Sequence, residues 1–268
     1  MNKKNIEEHL QQLQDLKGDN NWENIRKVEG NFKLHEIDYC NLGIKKIYHP
    51  LGNNSNINLQ SSRGIGVYKE DTLESMLKKV EKDFSFKSLD YIRAAEFKQV
   101  TEHSQVDYTK AGFCEIGFRV PKLLNFYKKQ GYKKVFGYDI NSFNVKVGNY
   151  LGFDCRVLDL NNIDDSGTYD IDLSGVSHVV CYHVLEHLID PALVLATIVN
   201  NMQYNTFLHL EIPLEGKVSN IKLGHLFPFK EGDIIKLLQP LGVQTYSTTT
   251  NDYFGTKTER IICRKKRK

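Results

Sequence analysis

Apolar and polar positions follow two different rhythms along this chain, and the change falls near residue 110. Before it, Ile6, Leu10, Leu13 and Leu16 recur at helical spacing, and Gly18-Asp19-Asn20-Asn21 closes that helix. Phe32 to Tyr48 is mixed, with short strand-like pieces, and Gly52-Asn53-Asn54-Ser55-Asn56 is a turn or loop by composition. Asp71-Thr72-Leu73-Glu74 predicts a helix start, with Leu73, Met76, Leu77 and Val80 as the apolar stripe. Another helix is expected from Ser88, with Leu89, Ile92, Phe97 and Val100 facing inward.

From Ala111 onward strands and helices alternate. Gly112–Ile116 is a short apolar strand stopped by Gly117, and Pro121 opens a helix whose inner face is Val120, Leu123, Leu124 and Tyr127. Lys134–Tyr138 is a second strand, followed by a helix ending near Gly152, and Cys155–Leu158 is a third. Ser177–Tyr182 is the fourth; Asp190-Pro191 then supplies a cap and a first-turn proline for the next helix. Thr206–Ile212 is the fifth. Strands that are apolar on both faces and separated by helices predict a parallel sheet covered on both sides. After a helix at Ile234, Ile235, Leu237 and Leu238, the runs Val243–Thr249 and Glu259–Arg264 stand too close for a crossover helix. That last pair is therefore expected to be antiparallel.

In such sheets ligands lie beyond the carboxyl ends of the strands, and each strand here ends in glycine or something polar. Glu115-Ile116-Gly117 ends the first, Asp139 the second, Asp159 the third, His183 the fourth, and Glu211 with Pro213 the fifth. Asp139 at the end of the second strand suits a carboxylate that accepts hydrogen bonds from adenosine ribose hydroxyls. Acidic residues also follow strands simply because loops are solvated. Neither G-x-G-x-x-G nor a P-loop is present, so the pyrophosphate cradle of a dinucleotide or nucleotide site is missing. An adenosine ligand without a pyrophosphate fits better.

Glu115-Ile116-Gly117, Tyr138-Asp139-Ile140, Leu158-Asp159-Leu160 and the stretch from Tyr182 to Pro191 containing Val184-Leu185-Glu186-His187 resemble successive motifs of class I S-adenosylmethionine-dependent methyltransferases. Gly224-His225-Leu226 before a helix, and the closing antiparallel pair, also resemble that family. The likeness covers about residues 106–268. It implies an α/β, Rossmann-like seven-stranded sheet with its last strand antiparallel, and S-adenosyl-L-methionine as cofactor. By that resemblance Glu115 and Gly117 border the methionine, Asp139 holds the ribose, Asp159 and Leu160 flank the adenine, and Ile140 is a further cofactor-binding residue. His183 then lies beside the sulfonium. The sequence departs from the family's glycine loop, because Arg119 and Pro121 stand at its second and third glycine positions. Arg119 there either caps the methionine carboxylate or obstructs the pocket.

A hydroxyl or amine acceptor requires a base, for which histidine is suited near neutral pH. His225 and His187 are the candidates, with Glu211 a weaker one; His9, His35, His49, His103, His178 and His209 are expected to be structural or superficial. His183-Val184-Leu185-Glu186-His187 also spells H-x-x-E-H, an inverted zinc-protease pattern. Zinc would need both histidines on one helical turn, whereas His183 directly follows an apolar strand and a fresh helix starts at Pro191, so no metal is expected.

Residues 1–105 form a mostly helical segment expected to fold over the site and select the acceptor, with Arg63, Tyr68, Tyr91 and Arg93 available there. Residues 106–268 form the catalytic domain. The 268 residues carry 40% hydrophobic and 26% charged side chains, an ordinary globular balance. A net charge of +3 does not call for nucleic acid, and the basic tail Arg264–Lys268 reads as a solvated terminus. Five scattered cysteines without a C-x-x-C pair, no membrane-length apolar run and no signal-peptide core predict a cytoplasmic protein. The acceptor is expected to be a small polar molecule, a sugar or nucleotide-linked sugar hydroxyl. A tRNA or protein acceptor, a non-catalytic binding role and a homodimer remain open.

Overall fold

The computed structural model describes residues 35–38, 45–48, 73–81, 93–95, 98–99, 107, 110–160, 171–188, 190–215, 225, 229–253 and 256–266. In the N-terminal segment His35–Asp38 (β1) and Lys45–Tyr48 (β2) pair antiparallel as a separate two-stranded sheet. Leu73–Glu81 (α1) buries Met76 and Val80, while Leu73 stays exposed at its first turn. Of the helix expected from Ser88, residues 93–95 and 98–99 are described and are helical. The helix expected over Ile6–Leu16, the loop at Gly52–Asn56, and Arg63, Tyr68 and Tyr91 lie outside the described residues.

The elements that follow are Gly112–Ile116 (β3), Lys122–Lys129 (α2), Lys134–Asp139 (β4), Ser142–Tyr150 (α3), Asp154–Val157 (β5) and His178–Tyr182 (β6). A single 3₁₀ turn over Leu185–His187 precedes Pro191–Asn201 (α4), Phe207–Pro213 (β7), Asp233–Leu238 (α5), Val243–Tyr253 (β8) and Thr256–Lys265 (β9). The strands form one seven-stranded sheet in the order β5-β4-β3-β6-β7-β9-β8. β5, β4, β3, β6 and β7 are parallel, and β9 runs antiparallel to both β7 and β8. Only β9 therefore opposes the common direction.

Local chemistry accounts for the helix starts. Asn141 accepts a hydrogen bond from Phe143 N at 2.9 Å before α3, and Asp190 accepts one from Leu193 N at 2.9 Å before Pro191 opens α4. Pro121 sits one place earlier than expected, as the cap of α2 rather than its first residue. Alternate strand residues then enter two apolar layers. Cys114, Ile116, Val179 and Cys181 meet α4 and α5 on one face, while Phe113, Val180 and Tyr182 meet α2 and α3 on the other. Each fully buried Val, Ile or Phe among them stabilises by about 1.5–3 kcal/mol. Cys114, Cys155, Cys181 and Cys263 are buried free thiols.

Two expectations need correction. β5 is not apolar on both faces: of its four residues only Cys155 is buried, because the strand is a sheet edge with one flank open. The closing strands are also longer than their apolar runs, pairing from Val243↔Lys265 to Tyr253↔Thr256. Main-chain pairing continues through polar residues there, and polarity alone does not end a strand. Among the described residues no helix is long and apolar enough to cross a membrane.

Candidate active site at the carboxyl edge of the sheet

The strand order reverses direction between β3 and β6, which opens a crevice beyond their carboxyl ends. Gly117 stands there with φ +75°, its N–H donating to Tyr138 O at 2.7 Å. A Cβ on Gly117 would lie 2.3 Å from Val184 Cγ2, so only glycine lets the loop after β6 come this close. Phe118 turns inward and packs between α3 and β4, where Gly137 and Gly148 leave room for its ring. Arg119 adopts φ +43°, and its backbone N–H reaches Asp139 Oδ2 at 2.7 Å.

Asp139 is buried at the end of β4. Its Oδ1 accepts from Asn141 N at 2.8 Å and Asn144 Nδ2 at 3.2 Å. Burial pushes its pKa above the ordinary carboxylate value, against the pull of these donors and of Arg119. A carboxylate offers about four acceptor directions, and the three donors named here leave one for a ligand. Ile140 and Asp159 lie half-buried beyond β4 and β5; Leu160 is buried in the layer shared with α4. Glu115 is buried within β3.

A charged network closes the other side of the crevice. Glu211, fully buried at the end of β7, receives Arg260 Nε at 2.7 Å, Arg93 Nε at 3.2 Å and His183 Nε2 at 2.8 Å, and is also paired with Arg93 Nη2. Arg93 also lies over the Tyr182 ring, 4.5 Å from its centroid. Burial alone would raise the Glu211 pKa, but hydrogen bonds from His183 and Arg93 and their charges hold it far below the carboxylate range. That corrects the reading of Glu211 as a base: it stays ionised and fully engaged. His183 adopts φ +54° and bonds Glu186 Oε1 through Nδ1 at 3.2 Å. Burial works against its charged form, yet the two carboxylates raise its pKa to about 9. His183 is thus a cation near neutral pH, a donor at both nitrogens.

His187 and His225 meet edge to face, with ring centroids 4.7 Å apart. His225 Nδ1 lies 2.8 Å from Glu215 Oε1, and its side chain is almost buried. The 3₁₀ turn over Leu185–His187 leaves no helix to carry both His183 and His187, so the zinc-protease arrangement is absent. Of the predicted residues, Gly117, Asp139 and His183 all lie at the carboxyl ends of neighbouring strands, and His187 and His225 meet one another. Sequence reasoning missed Arg260 and Glu215. Arg260 carried a readable signal, a charged residue beside the apolar run Ile261-Ile262-Cys263, which cannot be buried without a partner. His178 and His209, read as structural, are buried and bond to each other at 3.1 Å.

No protein-family model and no curated protein matches this chain. Solved structures do. The [4+2]-cyclase SpnF aligns with TM-score 0.54 at 10% identity, covering 77% of this chain and 97% of that one. A structure from Galdieria sulphuraria assigned as a sarcosine dimethylglycine methyltransferase aligns with TM-score 0.50 at 12% identity, covering 66% and 86%. The architecture is the Rossmann-like fold of class I S-adenosylmethionine-dependent methyltransferases. At such identities the likeness is one of fold, and one neighbour bears the name of a cyclase.

Proposed function

We propose that the chain is an S-adenosylmethionine-dependent methyltransferase acting on a hydroxyl of a small polar acceptor, a sugar or nucleotide-linked sugar. The observation that carries this reading is Asp139: a buried carboxylate at the end of β4, beside the β3–β6 crevice, with one acceptor direction left. That is the chemistry a ribose hydroxyl requires, so the residues present fit the cofactor. Asp139 and Ile140 hold the ribose, Glu115 and Gly117 border the methionine, and Asp159 with Leu160 flanks the adenine. S-adenosylmethionine supplies a methyl group already activated on a sulfonium.

The chain's own residues then align the acceptor and handle its proton. His183, fixed as a donor by Glu186 and Glu211, braces the loop after β6. His225 and His187 activate the acceptor hydroxyl. Glu215 Oε1 accepts a hydrogen bond from His225 Nδ1–H, which orients the ring with Nε2 toward the acceptor on this reading. Arg93 stands at the carboxyl edge through Glu211, and the segment that carries it selects the acceptor on this reading.

Titration of the purified protein with S-adenosylhomocysteine and with NAD⁺ tests this. Micromolar binding of the first alone, followed by label transfer from methyl-labelled cofactor to nucleotide sugars, supports it; no binding of either overturns it. A second reading is a protein on this fold that transfers no methyl group. It is favoured by the main chain of Arg119 occupying Asp139 Oδ2, where the family has glycine, and turnover of the cofactor would exclude it.

A further inference from the structure

We propose that Glu186, His187 and His225 hold a divalent transition-metal ion of the Zn²⁺ or Mn²⁺ type. Each offers one ligand atom, and these atoms lie within 4.8 Å of one another. Around bound zinc such atoms stand about 3.3 Å apart, so modest side-chain rotation completes the set. Two imidazole nitrogens and one carboxylate oxygen suit borderline metals and disfavour Mg²⁺ or Ca²⁺, which take oxygen ligands.

Two independent observations point to a ligand. Glu186 is fully buried, and while its Oε1 meets His183, its Oε2 has no hydrogen-bond partner. A buried carboxylate oxygen left that way is costly unless something fills the gap. Glu215 Oε1 also sits 2.8 Å from His225 Nδ1, the carboxylate–histidine arrangement that fixes a ring with Nε2 available to a metal. The H-x-x-E-H pattern supplies only Glu186 and His187 of this set. His183 is engaged by Glu186 and Glu211, and the third ligand arrives from the segment before α5.

Three protein ligands leave a position open for the acceptor. This role rests on the methyltransferase reading and replaces direct action of His225 and His187 on the acceptor hydroxyl, because their nitrogens are then taken by the metal. The cation binds the acceptor oxygen and lowers the pKa of its hydroxyl. The proton passes to solvent, the oxygen forms a bond to the methyl carbon, and the carbon–sulfur bond breaks with its electron pair returning to sulfur as a thioether.

The test uses the full-length protein stripped with chelator and dialysed against ZnCl₂, MnCl₂ or MgCl₂ alone, with metal counted by elemental analysis. One Zn²⁺ or Mn²⁺ per chain is expected, lost in H187N and H225N, with affinity falling about 10–100-fold in E215Q. Circular dichroism confirms that the variants fold, and Co²⁺ added to the wild type reports the site without any substitution through a tetrahedral ligand-field band. No stoichiometric metal, no cobalt band, or metal retained in folded H225N overturns the site. S-adenosylhomocysteine titration of the same samples separates the two readings: metal bound without it sinks the methyltransferase reading alone, and nucleoside bound without metal sinks the metal site alone.

Discussion

Arg93 and Glu211 are ion-paired across 118 residues of sequence, the guanidinium 12% and the carboxylate 0% exposed. The pair fastens a residue of the N-terminal segment to the end of β7. Arg93→Ala leaves a buried carboxylate with fewer partners and is expected to cost about 3–5 kcal/mol. Urea unfolding of wild type and R93A checks this. A loss below about 1 kcal/mol would mean the pair behaves as a surface contact and does not dock the segment.

Gly117 and Val184 meet too closely for any other residue at 117. Gly117→Ala adds a Cβ at a positive φ and into Val184, costing about 1–3 kcal/mol. The double variant G117A/V184A should recover the steric part and keep the backbone strain. Thermal unfolding of the three proteins gives the answer, and additive losses in the double variant would refute the contact.

Asp139 serves two tasks under the proposed function, anchoring the Arg119 loop and accepting from the ribose. Asp139→Asn turns an amide donor toward one of the N–H groups that the carboxylate now satisfies. S-adenosylhomocysteine affinity should fall about 10–100-fold, as measured by calorimetry. Unchanged affinity would remove Asp139 from the ligand site and leave it as a loop anchor.

The buried pair His178–His209 predicts acid lability. Burial lowers the His209 pKa to about 3, and burial together with His209 pushes His178 well below its ordinary value. Unfolded histidine titrates near pH 6.5, so the unfolded chain binds more protons as pH falls below that value. Stability is fully present above it and declines toward the folded pKa, by up to about 1.4 kcal/mol per pH unit for each histidine. Chemical denaturation at about pH 8 and about pH 5 should show this fall, and H178F/H209L should flatten it. A wild type equally stable at both would contradict the neutral pair.

Much of the sheet was legible because a parallel strand covered on both faces is mostly apolar, and β3, β6 and β7 are buried along their whole length with only Glu115, His178, His209 and Glu211 breaking their apolar runs. β5 was misjudged because edge position is a property of topology, which a local run such as Cys155–Leu158 does not carry. The polar residues at the strand ends were legible as a set. Their bonds were not: that Arg119 N–H reaches Asp139, and that His183 sits between Glu186 and Glu211, depends on left-handed conformations at two non-glycine residues. Nothing in the residue types announces those. Arg93 was singled out for an acceptor role, and its partner emerged only when β7 was placed beside it.

Thr256–Lys265 has a bearing on the order of assembly. It lies between β7 and β8, although it follows both in the chain. Until it is synthesised β8 has no neighbour among the described strands, and the flank of β7 stays open to pairing with another chain. Arg260 arrives on the same strand, so the carboxylate of Glu211 also waits for one of its counter-charges. Both the hydrogen-bonded ladder and its buried charge balance are completed only when Thr256–Lys265 has left the ribosome, which makes a nascent chain still lacking that strand more aggregation-exposed than the folded protein.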